Sequence, residues 1–256
     1  MKYYVVSDVH SHFSLMKKAL EEAGFFEETE PHKLVVCGDL LDRGTEAKEM
    51  IAFMTQLLEE DRLIYILGNH EDLLMQCVVD IAKGDGVMGH HYLNKTFDSL
   101  LQISEMEETE AYTNREELVK RVLESPFCQK LLPSALNYYE TPNYIFTHGW
   151  IPSVVEGFRP FIKFAYRADW READEVSWER ARWLNGMELA CKYHVIEPDK
   201  TIVCGHFHTS YGHALDRSCS EWDDDAKFTP FRAKGVWAID ACTVHSKMVN
   251  CIVIED

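Results

Sequence analysis

The 256-residue sequence has no CxxC cysteine pair, and no apolar run in it approaches the length of a membrane span. Several of its eight cysteines lie inside apolar runs, which is typical of small buried thiols. We therefore expect reduced cysteines in a cytoplasmic protein. The missing long apolar run excludes a membrane-spanning helix. The opening segment MKYYVVSDVH enters a strand-like pattern at once, so we expect no signal peptide.

Basic residues are scarce as well. The chain has 26 Lys and Arg against 43 Asp and Glu, and a formal net charge of -17. This charge repels polyanions, so we expect no nonspecific binding to nucleic acid or to anionic membranes. A substrate that carries phosphate would need a locally positive site. No feature of the sequence predicts an oligomeric state.

Short runs rich in β-branched and aromatic residues recur along the chain and predict strands that are buried on both faces. They lie at residues 3–6, 34–37, 63–67, 144–147, 201–204, 236–239 and 249–254. Helical periodicity separates the first three runs, which indicates a βαβαβ opening. We expect one α/β domain over 1–256, with an inserted helical lobe at about 71–135 and a loop-and-helix segment at 152–185.

Chemically active side chains follow five of these predicted strands. The first three runs lead into SDVH, CGDLLDRG and LGNHED, and the next two lead into HG and GHFH. In open α/β sheets, ligands bind beyond the carboxyl ends of the strands, so we expect these side chains to share one crevice. The candidates are Asp8, His10, Asp39, Asn69, His70, His148, His206 and His208.

The candidate side chains are typical of a transition-metal site. Imidazole and carboxylate together favour Mn, Fe or Zn over Mg or Ca, and eight candidates exceed one coordination sphere, so we expect two divalent ions. Asp39 follows the middle strand and is the candidate for a bridging ligand. Gly38, Gly68 and Gly205 directly precede ligand positions and are expected to relieve sharp strand-end turns. Ser7 is expected to take that role in SDVH.

In their order along the chain, SDVH, GDLLDRG, GNHE, HG and GHFH resemble the motifs of the calcineurin-like metallophosphoesterases. GDLLDRG and GNHE resemble in particular the phosphoprotein phosphatase branch, although SDVHSH differs from the GDxHG of that branch. The resemblance implies a four-layer α-β-β-α sandwich with a dinuclear metal site at the strand ends. It implies one metal held by Asp8, His10 and His208, a second held by Asn69, His148 and His206, and Asp39 between them.

The remaining motif residues suit acid catalysis and phosphate binding. His70 is not needed as a ligand and can protonate the leaving oxygen if Asp42 orients its ring. Arg43 can grip phosphoryl oxygens with its planar guanidinium group. The resemblance implies a second phosphate-binding arginine, and its spacing from Trp178 favours Arg180 over the alternatives Arg182 and Arg167. Glu71 is expected to brace the GNHE turn.

The function predicted from these residues is the hydrolysis of phosphate monoesters, with phosphoserine or phosphothreonine in proteins as the first choice. A dinucleoside polyphosphate or another nucleotide is the alternative within the same chemistry. His208 keeps phosphodiester cleavage open as a third possibility. A hypothesis of a different class is an interaction module on a degenerate phosphoesterase fold, and the presence of His70, Asp42 and Arg43 argues against it.

Overall fold

The computed structural model describes residues 1–85, 87–157, 162–215, 217 and 219–256. Its strands are β1 (Lys2–Val6), β2 (His32–Cys37), β3 (Leu63–Ile66), β4 (Tyr139–Glu140), β5 (Tyr144–Phe146), β6 (Val154–Glu156), β7 (Lys163–Ala165), β8 (Thr201–Cys204), β9 (Phe231–Ala233), β10 (Val236–Ala238) and β11 (Ile252–Glu255). The seven predicted runs correspond to β1, β2, β3, β5, β8, β10 and β11, so these strand predictions are confirmed.

The helices of the described residues lie mostly between the strands or in the middle of the chain. They are α1 (Phe13–Glu22), α2 (Ala47–Glu59), α3 (Asn69–Lys83), α4 (Gly89–Leu93), α5 (Thr96–Ser104), α6 (Glu108–Thr113), α7 (Arg115–Glu124), α8 (Leu132–Ser134), α9 (Glu175–Ala181), α10 (Gly186–Tyr193), α11 (Thr209–Leu215) and α12 (Thr243–Ser246). A π-helical turn covers Phe127–Leu131 and a 3-10 turn covers Trp170–Glu172. No helix of the described residues is both long and apolar enough to cross a membrane.

Two sheets carry the strands that end near the predicted site. The first has the order β11-β1-β2-β3, in which β1, β2 and β3 are parallel and β11 is antiparallel to β1. The second has the order β4-β5-β8-β10-β9, in which β5, β8 and β10 are parallel. Parallel neighbours end at the same edge of a sheet, so the polar turns after them are brought together.

Alternate residues of each strand face different apolar layers. Val5, Val35 and Ile64 of the first sheet share one buried layer with Phe146 and Val203 of the second sheet. The intervening strand residues pack against helices on the outer face of each sheet. Burial of one such side chain contributes roughly 1.5–3 kcal/mol. The result is the predicted four-layer α-β-β-α sandwich, and burial on both faces explains the continuous apolar runs.

The segment 152–185 differs from its prediction. It contains the antiparallel hairpin β6–β7 in addition to helix α9. All three residues of β6 are exposed, so no buried apolar run marks this strand in the sequence. Periodicity predicts a strand only where one of its faces is buried, which is the reason that the hairpin was missed.

Candidate metal centre

A cavity of about 120 Å³ lies beyond the carboxyl ends of β1, β2, β3 and β8. The side chains around it come from turns that are distant in sequence and close in space because the strands run parallel. Seven of the predicted site residues line it: Asp8, His10, Asp39, Arg43, Asn69, His70 and His206. His148 follows β5, is fully buried, and contacts two of these residues from below.

Asp39 takes part in two groups of potential ligand atoms. One group combines it with His10 and His70, the other with His148 and His206, and the atoms within each group lie within 4.8 Å of one another. Oδ2 of Asp39 lies 3.7 Å from Nε2 of His10, and Oδ1 lies 3.3 Å from Nε2 of His148. The carboxylate thus presents one oxygen to each side, which is the arrangement that a bridging ligand requires.

The hydrogen bonds of His148 leave a lone pair facing other acceptors. Its Nδ1 lies 2.8 Å from the carbonyl oxygen of Cys37, which can only accept, so Nδ1 carries the proton. In the neutral ring Nε2 then has a lone pair, and it lies 2.9 Å from Oδ1 of Asn69 and 3.3 Å from Asp39. Three acceptors without a hydrogen between them repel, and a cation at their centre turns that repulsion into coordination.

The ionisation of the buried groups fits the same donor set. Burial lowers the pKa of His206 to about 3 and lowers the pKa of His10 well below its ordinary value. Their imidazole rings are therefore neutral, which is the form that binds metals. Burial raises the pKa of Asp39 to about 7 and that of Asp8 to about 6. Positive charge in the cavity would keep both carboxylates ionised.

Asp8 is held at the cavity by several neighbours. The backbone N–H of His206 donates to its two carboxylate oxygens at 3.1 and 2.9 Å, and the Ser7 hydroxyl donates to Oδ2. The hydroxyl of Thr243 donates to the carbonyl oxygen of Asp8 at 2.8 Å. These bonds hold Asp8 in place. Binding a cation therefore costs less conformational entropy than it would with a freely rotating side chain.

The turns that carry the site use left-handed backbone at the functional residues themselves. Asp8, Asp39 and His206 have φ values of 51°, 54° and 63°. Such a conformation costs a residue other than glycine about 1–3 kcal/mol, and it is characteristic of functional sites. The surrounding fold must therefore supply the energy that holds these side chains toward the cavity.

The expectation that glycine relieves steric cost at these turns is confirmed for Gly38, Gly68 and Gly205, and only Gly38 of the three is left-handed. Gly38 has φ 80°, and a Cβ there would lie 2.5 Å from Nδ1 of His148. The backbone of Gly68, Gly205 and Ser7 is not left-handed. Gly68 and Gly205 are required for a different reason, since a Cβ would collide with the Asp39 carboxylate and with Ser7 and Asp8, respectively.

Glu71 supports the turns from beneath the cavity. Its Oε2 accepts hydrogen bonds from the backbone N–H groups of Gly68 at 2.6 Å and Asp39 at 3.0 Å, and its Oε1 accepts from Leu40 at 2.9 Å. The contact with Gly68 completes a capping box at the start of α3. The expectation that Glu71 braces the GNHE turn is confirmed.

His70 forms a fixed pair with Asp42. Its Nδ1 lies 2.7 Å from Oδ2 of Asp42, and Thr96 donates to the same oxygen at 2.7 Å. The backbone N–H of Asp42 donates to the Ser99 hydroxyl at 3.0 Å, so helix α5 positions the carboxylate. Sequence reasoning missed Thr96 and Ser99, because only the packing of the helical segment brings them to Asp42.

The other ring nitrogen of His70 faces Arg43. Nη2 of Arg43 lies 3.0 Å from Nε2 of His70, and guanidinium can only donate, so Nε2 accepts in this arrangement. Burial opposes the charged ring, but the charge of Asp39 and the hydrogen bond to Asp42 outweigh it and raise the pKa of His70. Nε2 can therefore take up a proton once Arg43 leaves it to bind an anion.

His208 lies apart from this arrangement. It is in neither group of potential ligands among the described residues, and it is not among the residues that line the cavity. Its Nδ1 lies 2.8 Å from the Ser210 hydroxyl, its Nε2 lies 3.4 Å from Glu221, and its ring packs against Trp222. Both nitrogens are thus directed to neighbours within the 206–222 segment, and we leave His208 out of the ligand set.

None of the three arginines considered for a second phosphate contact lines the cavity. Arg180 is exposed on α9. The Arg182 side chain is 3% exposed and is held by Asp72 at 2.9 Å and by Glu175 at 2.5 Å, while Arg167 pairs with Asp169. The choice of Arg180 is not supported by this arrangement, and Arg43 is the arginine that the described residues place at the cavity.

Two further residues near the site were missed. Asp240 comes two residues after β10, and burial together with the charge of Asp8 raises its pKa well above the usual range. The sequence did mark Asp240, because the run VWAI predicts another strand and Asp240 follows that run directly. Trp183 lines the cavity although its ring is half exposed, and no local pattern predicts this.

Comparison with known proteins identifies the family of this chain. The family model of the calcineurin-like phosphoesterases matches residues 1–234, and the chain belongs to that family. Cold-active protein tyrosine phosphatase has the same fold, with a TM-score of 0.53 at 14% identity over 99% of this chain and 73% of the other. The Shewanella enzyme of that description gives a TM-score of 0.50 over 100% of this chain and 75% of its own.

Curated relatives match over part of their length. An asymmetrical bis(5'-nucleosyl)-tetraphosphatase, PrpE, of Bacillus velezensis is 29% identical over 116 residues, which are 43% of this chain and 45% of the relative. Serine/threonine-protein phosphatase 2 of Escherichia coli is 28% identical over 108 residues, which are 42% of this chain and 44% of the relative. The match thus spans less than half of each of these relatives.

Proposed function

We propose that this protein is a dinuclear metal-dependent phosphatase that hydrolyses phosphate monoesters. The observation that carries the proposal is the position of Asp39, whose two oxygens face two separate groups of ligands in one cavity. The pair His70 and Asp42, with Arg43 beside it, lies at the same cavity. Ligands alone would suit a binding module, whereas an oriented acid next to them suits catalysis.

The ligands proposed here are taken from the two groups that meet at Asp39 and from the predicted ligands Asp8 and Asn69, which line the same cavity. Asp8 and His10 with Asp39 would hold one ion, and Asn69, His148 and His206 with Asp39 the other. Two such ions supply Lewis acidity toward water and the phosphoryl group. The mixed imidazole and carboxylate donors accept Mn, Fe or Zn. The converging lone pairs at His148 support the binding of a cation by these residues.

The chain's own residues bind the phosphoryl group and move a proton. Arg43 leaves His70 to bind the phosphoryl oxygens, since an anion is a stronger partner for guanidinium than a neutral imidazole. Nε2 of His70, once protonated, donates its proton to the leaving oxygen as water bonds to phosphorus and the bond from phosphorus to that oxygen breaks. Asp42 stabilises the charged ring of His70 before the proton is transferred. The hydrogen bond from Thr96 holds the Asp42 carboxylate in its orientation.

The substrate proposed first is a phosphoserine or phosphothreonine side chain in a protein, and the similarity to the Escherichia coli serine/threonine phosphatase supports it. A dinucleoside polyphosphate is the second candidate, and the similarity to the Bacillus tetraphosphatase supports that one. Phosphodiester cleavage was kept open by His208 alone. The contacts of His208 with Ser210 and Glu221 do not support that possibility.

The test is turnover of p-nitrophenyl phosphate by protein stripped with a chelator and reloaded with Mn, Fe or Zn. We expect turnover that depends on added metal and is lost in the variant Asp39→Asn. A phosphoserine peptide, diadenosine tetraphosphate and bis-p-nitrophenyl phosphate then rank the substrate classes. Protein that binds metal yet turns over none of them would be an interaction module on this fold.

A further inference from the structure

Trp183 stands at the rim of the cavity with its side chain open to solvent. It lines the cavity together with Leu73 and Asn94, and 53% of it is exposed. Its ring centroid lies 5.8 Å from that of His206, at an angle of 81° between the rings. One part of the indole thus packs beside a ligand candidate, and the other part offers an unoccupied aromatic surface.

The lining of the cavity decides which part of a substrate enters it. The cavity is small, about 120 Å³, and proposed metal ligands line it together with His70 and Arg43. These groups bind the phosphoryl group. The rest of the ester must therefore lie on the rim, where Trp183 is the large aromatic side chain among the described lining residues.

The position of Trp183 is fixed by its neighbours. The preceding residue, Arg182, has a buried side chain that pairs with Asp72 of α3 at 2.9 Å. Leu73, the next residue of α3, also lines the cavity. The ion pair therefore connects the two segments that form the apolar side of the cavity. The imidazole of His206 is hydrogen-bonded to the backbone of Trp183. The backbone of Trp183 is thus held in place, and its ring packs edge-on against that of His206. Such contacts reduce the conformational entropy that the ring loses when a ligand packs on it.

We propose that Trp183 determines substrate specificity by stacking on a planar aromatic group of the ester, which a nucleobase or a phosphotyrosine ring would provide. The inference rests on the proposed phosphatase function and adds the class of leaving group to it. Stacking on an aromatic side chain tolerates any planar π-system, whereas an alkyl ester such as phosphoserine has no such surface. Stacking on Trp183 would thus favour aromatic substrates over alkyl esters. Of the two substrate classes proposed above, it supports the dinucleoside polyphosphate over phosphoserine.

The test compares metal-loaded wild type with Trp183→Ala on three substrates. These are a phosphotyrosine peptide, a phosphoserine peptide of otherwise identical sequence, and diadenosine tetraphosphate. In Trp183→Ala we expect KM for at least one aromatic substrate to rise between about five- and a hundredfold, the range for loss of one stacked ring. Because stacking is the same in ground and transition states, kcat should change less than about threefold. KM for the phosphoserine peptide should stay within about twofold.

Two variants serve as controls. Trp183→Phe keeps a ring and should restore most of the affinity for the aromatic substrate. Trp222→Ala removes a tryptophan of similar exposure, 54%, that does not line the cavity, and should leave every KM unchanged.

The outcomes separate the two proposals. An equal rise of KM for the phosphoserine peptide, or no rise for either aromatic substrate, contradicts stacking while the phosphatase function stands. A rise for diadenosine tetraphosphate alone assigns the ring to a nucleobase, and a rise for phosphotyrosine alone assigns it to an aryl phosphate. No metal-dependent turnover of any of the three by wild type contradicts the proposed function, and the inference falls with it.

Discussion

Nδ1 of His70 lies 2.7 Å from Oδ2 of Asp42, and this short contact leaves the other ring nitrogen directed into the cavity. The contact joins residues from the turns after β2 and β3, two parallel neighbours of the first sheet. The contact orients the ring so that Nε2 can act as the proposed proton donor.

Replacement of His70 by Asn tests this role. We expect turnover to fall by a factor of about 100 or more, the usual scale for loss of a general acid. Metal content should stay close to that of wild type, because the proposed ligand set does not include His70. The measurements are kcat on p-nitrophenyl phosphate and metal per chain by elemental analysis. Loss of the metals along with activity would show that His70 is a ligand.

Replacement of Asp42 by Asn should move the alkaline limb of the rate profile. The carboxylates of Asp39 and Asp42 raise the pKa of His70 against the effect of burial. Removal of one negative charge disfavours the protonated ring, so its pKa falls. The rate should then begin to decline at lower pH than in wild type, and a profile of kcat/KM against pH measures the shift. An alkaline limb that stays in place would mean that another group donates the proton.

Metal stoichiometry should depend on Asp39 more than on any residue that serves a single site. In Asp39→Asn we expect fewer than two metals per chain, because one side chain faces both ligand groups. His148→Ala, which removes a ligand of one site only, is the matched comparison and should lose a single ion. Two tightly bound metals in Asp39→Asn would contradict the bridging role.

His208→Ala should behave like wild type. Its ring contacts Ser210 and Glu221, so we expect metal content to be unchanged and kcat to stay within about threefold. His206→Ala, two residues away, should lose metal and activity. If both variants lose the same metal, His208 completes the first site when cations are bound, and the arrangement of the 206–222 segment changes with them.

The ion-pair cluster around Glu140 should make stability depend on pH. Hydrogen bonds from Arg171 and Lys200 lower the pKa of Glu140 from 4.5 to about 2. The resulting stability is present above pH 4.5 and is lost as the pH falls toward 2, where the folded protein also takes up the proton.

At pH 7 we expect Glu140→Gln to lower the free energy of unfolding by about 1–2 kcal/mol, after allowance for solvent screening. Urea unfolding at pH 7 and pH 3 measures the effect, and the difference from wild type should be smaller at pH 3. Glu59→Gln removes one partner of an exposed pair with Lys130 and should have no such effect. An undiminished difference at pH 3 would assign the loss to packing.

The sequence by itself determined the seven strands marked by apolar runs and the order of the site residues. Apolar runs such as LVVC predict buried strands because both faces of each sheet are covered, and the polar residue after each run marks the edge where parallel strands end. Asp39 could be placed between two ligand groups for that reason alone. The direction in which the His208 ring points could not be predicted, because it depends on Ser210, Glu221 and Trp222, which no motif includes.

Tertiary structure decided what surrounds those residues. Thr96 and Ser99 reach Asp42 across more than fifty positions of sequence, and Trp183 reaches the rim because Arg182 is bound to Asp72. These contacts come from the packing of helices whose surfaces carry no periodic signal. Local patterns predict elements and their ends because they reflect backbone geometry and burial, whereas a contact between distant segments depends on how whole layers pack.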